Sequence, residues 1–233
     1  MVVLFCPIPL VARLCLLLGI GFAPWLWALE EPALPWQQYF VASRLDQLER
    51  RFGLEGRQRV EALEQWLLTE LAIDRPTLER LDVVNRYFNR LQFVDDQAHW
   101  GVADHWATPL EMVASGGGDC EDFVILKYMV LRILRLPPEA LRLMYVKAIE
   151  LDQAHMVLLY LDTPQAMPLV LDNLIDTIET GEQRSDLLPV YSFNAGGLWK
   201  ARAFDQGTQL KAGESGVDLW GELVARLIEE GQG

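Results

Sequence analysis

The chain has 233 residues, 51% of them hydrophobic, and a formal net charge of −13. That is enough for one well-cored domain, and nothing in the composition points to disorder. The acid excess and the lack of any lysine or arginine run argue against a protein that grips phosphate backbones, so nucleic acid is not an expected partner. An acidic surface fits solubility, and a cationic or metal partner somewhat better.

The first stretch, MVVLFCPIPLVARLCLLLGIGFAPWLWALEEP, carries one charge, Arg13, before Glu30 and Glu31. Its apolar or small run from Leu14 to Leu29 is interrupted by Pro24. This is short for a spanning helix of roughly 20 residues. Residues 1–28 read as a secretory signal cleaved near Ala28, with an uncleaved membrane anchor as the alternative. Both place residues 29–233, read as a single domain, outside the cytoplasm. Cleavage removes Cys6 and Cys15 and leaves Cys120 alone. A solitary thiol in an oxidising compartment is either buried and inert or kept for chemistry.

Val41, Leu45, Leu48 and Phe52 follow a helical spacing, with Gly53 as a stop. Val60, Leu63, Leu67 and Leu71 predict a second helix. Pro76 starts a third, with Leu78, Leu81, Val84, Phe88 and Leu91 on its inner face. Between Phe93 and Gly118 periodicity fails, and the stretch reads as a long, polar, functional loop. It holds His99 and His105, but His-x5-His is not a recognised zinc spacing and no cysteine pair supports it.

From Cys120 a helix returns, with Phe123, Val124, Tyr128, Leu131 and Leu134 inward, ending before Pro137 and Pro138. LRLMYVKAIEL, AHMVLLYLD, MPLVLDN and PVYSF carry strand signals. A last helix spans Val217 to Ile228, with Trp220, Leu223, Val224, Leu227 and Ile228 inward. Helices first and consecutive strands after predict an α+β fold, in which N-terminal helices and the helix carrying Cys120 pack on an antiparallel sheet.

GGGDCEDF, residues 116–123, poses the chemical question: three acids crowd a thiol whose ionisation they oppose. The start of a helix favours negative charge on sulfur and on an oxyanion beside it. Glycines permit close approach of backbone or substrate. A nucleophilic thiol needs a base, and His155 opens a strand whose next neighbour carries Asp172. An even-length turn sets the two opposite, and a shift of two sets them diagonal on one face. Asp172 could equally start a turn, and His155 could be a satisfied edge-strand residue. Asp119 suits an N-cap and Asp122 a capping box. Alternatively, Asp119, Glu121 and Asp122 supply oxygen ligands for Ca²⁺, which would offset their charge, although no EF-hand spacing is present.

With GGGDCEDF followed by AHMVLLY and LVLDNL, in the order Cys, His, Asp, the sequence resembles the bacterial transglutaminase-like cysteine proteases, in particular the LapG-type periplasmic proteases. WATPLEMVAS and YSFNAGGLW extend the likeness over roughly residues 37–199. The resemblance implies a papain-like or transglutaminase-like fold. It makes Cys120 the nucleophile, His155 the general base and acid, and Asp172 the orienting acid. It also implies calcium on Asp119, Glu121 and Asp122. The implied substrate is a large surface adhesin, cut near its N-terminus at a site of paired alanines so that biofilm disperses. The implied partner is the periplasmic domain of an inner-membrane cyclic-di-GMP receptor, which inhibits the enzyme. A transglutaminase-like acyltransferase and a non-enzymatic calcium-binding regulatory module are the rival readings.

Overall fold

A computed structural model describes residues 36–194, 196–201, 203–204, 208–212 and 217–232. The expected signal or anchor, residues 1–28, lies outside them.

Helix α1, Ala42–Ala72, contains both of the first two expected helices, run together across Gly53, whose φ of 74° breaks the helical geometry. A residue without Cβ adopts that conformation readily. Leu45 and Leu48 before the break, and Val60, Leu63 and Leu67 after it, are buried. Helix α2, Thr77–Phe88, follows Pro76 and buries Leu81, Val84 and Phe88. Leu78 departs from the expected inner face and is 63% exposed. Side chains in a first turn lean toward the helix N-terminus, and Leu78 lines a surface groove with Met167 and Leu169. Leu91 lies past the helix end.

The stretch expected as a loop is partly ordered. It holds β1, Gln92–Phe93, the short α3, Asp96–His99, then α4, Pro109–Ser115, and β2, Gly117–Gly118. Helix α4 opens with a capping box, Thr108 with Glu111, and has proline at its first position. Helix α5, Cys120–Ile133, follows immediately and is buried along most of its length.

Seven strands form one antiparallel sheet: β3, Leu141–Ala148; β4, Gln153–Tyr160; β5, Leu169–Leu171; β6, Glu179–Thr180; β7, Leu187–Asn194; β8, Gly197–Lys200; and β9, Thr208–Ala212. Their order across the sheet is β6-β5-β4-β3-β7-β8-β9. Side-chain alternation sends Leu143, Met156, Leu158 and Leu171 into the main core, which they share with the helices. Met144, Val157, Leu159 and Val170 enter a smaller cluster with Phe204 on the other face. Helix α6, Asp218–Gln232, adds Trp220, Leu223 and Leu227 to the main core. Ile228, expected inward, is 54% exposed. It stands about 100° round the helix from Leu227, at the margin of the stripe. The architecture is therefore α+β, as expected.

Candidate active site

Gly116 ends α4 at φ 91°, accepted without strain only by a residue lacking Cβ. Gly117 and Gly118 then pair in parallel with Gln92 and Phe93, and Val94 N–H donates to Gly118 O at 2.9 Å. A Cβ on Gly118 would collide with the Asp122 carboxylate. The chain thus reaches Cys120 held from below by β1 and from the side by Asp122. Asp122 accepts from Ala107 N–H at 2.7 Å and from Asp119 N–H at 3.4 Å, the latter being the return half of a capping box.

Cys120 is half-buried at the first position of α5. Its thiol donates to Glu121 Oε2 at 3.0 Å. Burial pushes the thiol well above its usual range, and Glu121 and Asp119 push the same way. The Met156 backbone N–H, which faces the sulfur, opposes them. That contact brings Cys120 to β4 at the residue next to His155.

His155 and Asp172 are both buried, with His155 Nε2 2.8 Å from Asp172 Oδ1. The β4–β5 ladder pairs Leu158 with Leu171. One further step sets Asp172 opposite Val157 and diagonal to His155 on the same face, the second of the two registers expected. Leu174 N–H also donates to Asp172 Oδ1, at 3.0 Å, and Arg184 donates to Oδ2 at 2.7 Å. Burial by itself would raise the Asp172 carboxyl. The His155 hydrogen bond and charge, the Leu174 N–H and Arg184 together outweigh it and hold the carboxyl at about 2. An ionised carboxylate only accepts, so Nε2–H donates to Asp172, and in the neutral ring the lone pair falls on Nδ1.

The acids form two groups that share one member. Single oxygens of Asp96, Asp119 and Asp122 lie within 4.8 Å of one another, as do those of Asp96, Asp104 and Glu121. The three acids expected together therefore divide, Glu121 going with the second group. Burial, reinforced by Glu121, pushes Asp119 up to about 9. Burial likewise pushes Asp122 up to about 8 against the opposing Ala107 N–H. Glu121 and Asp96 are raised by burial as well. Asp96 Oδ1 and Asp119 Oδ1 are buried with no hydrogen-bond partner among the described residues. Crowded carboxylates with orphaned oxygens and no nitrogen or sulfur donor fit a hard cation such as Ca²⁺.

Sequence reasoning missed Asp96, Asp104 and Arg184 as site residues. Asp96 and Asp104 lie in the acid-rich stretch before Gly118, Asp96 in α3 and Asp104 in the loop that follows it. His105 follows them, donating its N–H to Asp96, while its Nε2 faces Glu111 at 3.6 Å. Arg184 carries no local signal, because it is brought to Asp172 by the turn before β7.

Residues 59–186 match the family of bacterial transglutaminase-like cysteine proteinases. Among solved structures, calcium-bound Legionella pneumophila LapG is 35% identical, with a TM-score of 0.65, covering 79% of this chain and 98% of that one. A second structure of Legionella pneumophila LapG is 34% identical at a TM-score of 0.66, covering 79% of this chain and 96% of that one. The EGTA-treated form of the same Legionella protein is also 34% identical, at a TM-score of 0.67 and with the same two coverages. Comparison with curated proteins gives no match.

Proposed function

Since the chain belongs to the bacterial transglutaminase-like cysteine proteinases, we propose that it is a calcium-dependent endopeptidase of the LapG type, with Cys120, His155 and Asp172 acting as its catalytic triad. The observation that carries this reading is the buried His155–Asp172 pair at 2.8 Å, next along β4 to the residue whose N–H meets the Cys120 sulfur.

In the proposed reaction the Cys120 thiol turns from Glu121 and gives its proton to His155 Nδ1, while the sulfur attacks a peptide carbonyl carbon. Asp172 holds the ring and stabilises the imidazolium. The developing oxyanion sits at the start of α5, where the Cys120 N–H and the helix dipole favour negative charge. His155 returns the proton to the leaving amine, the C–N bond breaks, and a thioester remains. Water, deprotonated by the same imidazole, then releases the acid and restores the thiol.

Asp96, Asp104, Asp119, Glu121 and Asp122 would hold calcium, whose charge offsets the carboxylates that oppose thiolate formation. The calcium-bound neighbour supports calcium as the ion, and the choice of ligands rests on the carboxylate groups described above. The resemblance supports the rest of the proposal: a periplasmic enzyme, a large surface adhesin cut near its N-terminus at paired alanines to release biofilm, and inhibition by the periplasmic domain of an inner-membrane cyclic-di-GMP receptor.

The test is to incubate the full chain with an adhesin N-terminal fragment and calcium, and to read products by mass spectrometry. A new amino terminus is expected, with loss on chelation and a fall of roughly a thousandfold or more in Cys120→Ala. A cross-linked product would move the assignment to an acyltransferase. Undiminished cleavage by Cys120→Ala would end the protease reading.

A further inference from the structure

Lys127 follows Cys120 by seven residues on α5, and so lies on the same face two turns further on. It is 1% exposed and forms no ion pair among the described residues. Its ammonium instead donates to Asn85 Oδ1 at 2.8 Å and to Asn89 Oδ1 at 2.6 Å. Asn85 lies within α2, and Asn89 caps its C-terminus.

An ammonium can only donate. Both amide oxygens must therefore face Lys127, and both NH₂ groups must face away from it. They face the segment that carries Asp172. Asn89 Nδ2 donates to Asp172 O at 2.9 Å and to Asp176 Oδ1 at 3.0 Å. Asn85 Nδ2 donates to Asp176 O, also at 2.9 Å. Were residue 127 apolar, both amide oxygens would lose their donor in a buried site, and the side chains that hold the Asp172–Asp176 segment would lose their anchor on α5.

Resting on the triad reading above, we propose that Lys127 is a positioning residue: by fixing the orientation of Asn85 and Asn89 it registers the Asp172–Asp176 segment against the helix that begins with the nucleophile. Hydrophobic packing alone does not explain a buried amine here. Burial pulls the ammonium down to about 7, against the opposing effect of the Asp172 and Asp176 carboxylates. An apolar side chain of similar volume would avoid that penalty. The charge also favours ionised Asp172, the form that can accept from His155.

The test is the rate of Cys120 alkylation by iodoacetamide against pH, on the full chain in calcium, with the Cys120 peptide resolved from those of Cys6 and Cys15 by mass spectrometry. Wild type, Lys127→Met, Asn89→Ala and Asp172→Asn are compared, each with a thermal melt. Lys127→Met and Asn89→Ala are expected to melt cooperatively, yet to carry a profile displaced upward by about one pH unit, an about tenfold loss of thiolate near neutrality. A merely structural role would shift the melt and leave the profile in place. If Lys127→Met fails to fold, Asn89→Ala decides, since it removes the contacts to Asp172 O and Asp176 Oδ1, with one of the two Lys127 acceptors, and leaves Lys127 and Asn85 in place. Wild-type profiles in the folded variants, with Asp172→Asn displaced, overturn the inference alone. A wild-type profile in Asp172→Asn overturns the triad reading and takes this inference with it.

Discussion

Glu121 is the residue on which the state of the thiol turns. It accepts the Cys120 proton at 3.0 Å and shares a carboxylate group with Asp96 and Asp104. Both roles use the same side chain, so a cation that engages Glu121 competes with the thiol for it. Replacing Glu121 with Gln removes one carboxylate charge while burial continues to oppose the thiolate. In chelator, Cys120 of Glu121→Gln is expected to alkylate about tenfold faster than wild type. With calcium present the variant should lose that advantage, because a ligand has gone. Equal rates in chelator would show that the Glu121 charge is not what restrains the sulfur. At this scale strand register made the approach of His155 and Asp172 legible, whereas the roles proposed for Cys120, His155 and Asp172 rest on the family resemblance. Asp96, Asp104 and Arg184 were not legible, since their positions are made by tertiary folding.

The short elements around the nucleophile are where sequence patterns fell silent. Helices α1, α2 and α5 showed their period over two or more turns; Gly53, expected as a stop, marks the break inside α1, and Pro137 lies just past the end of α5. Helix α4 has only seven residues, too few to display a period, although Thr108, Pro109 and Glu111 spell out its cap. Strands β1 and β2, of two residues each, owe their existence to pairing with one another rather than to propensity. Gly118 is required for a reason outside that pairing: a methyl there meets Asp122, which in turn is bonded to Ala107 N–H. Gly118→Ala is expected to destabilise the fold by about 1–3 kcal/mol through overpacking, and to weaken calcium binding by displacing Asp122. Denaturant unfolding and calcium titration of the same sample check both. An unchanged calcium affinity would separate the glycine's packing role from the site.

Across the whole molecule, the buried acids set how stability follows pH. The folded values of Asp119, about 9, and Asp122, about 8, lie above the ordinary 3.8. Their contribution is present below about pH 4 and is lost as pH rises toward those folded values. Asp172 behaves oppositely, because its folded value of about 2 is depressed. It stabilises above about pH 4 and stops doing so as pH falls through 2. In chelator, the melting temperature is therefore expected to fall between about pH 5 and pH 8.5. Calcium bound at the proposed site would take the place of the bound protons, so it should raise the melting temperature more at the alkaline end. A flat profile in chelator would mean that the carboxylates find other compensation.

Asp96 belongs to both carboxylate groups and sits in α3, a four-residue turn capped by Asp95. Any ion held by either group would share that ligand. Opening this one turn, without disturbing the sheet or α5, would withdraw a donor from both groups at once. Short, locally stabilised turns open far more often than a core does. The lifetime of a bound ion would then follow the fraying of residues 96–99, and the enzyme's memory of a calcium pulse would be written in that turn rather than at the cysteine.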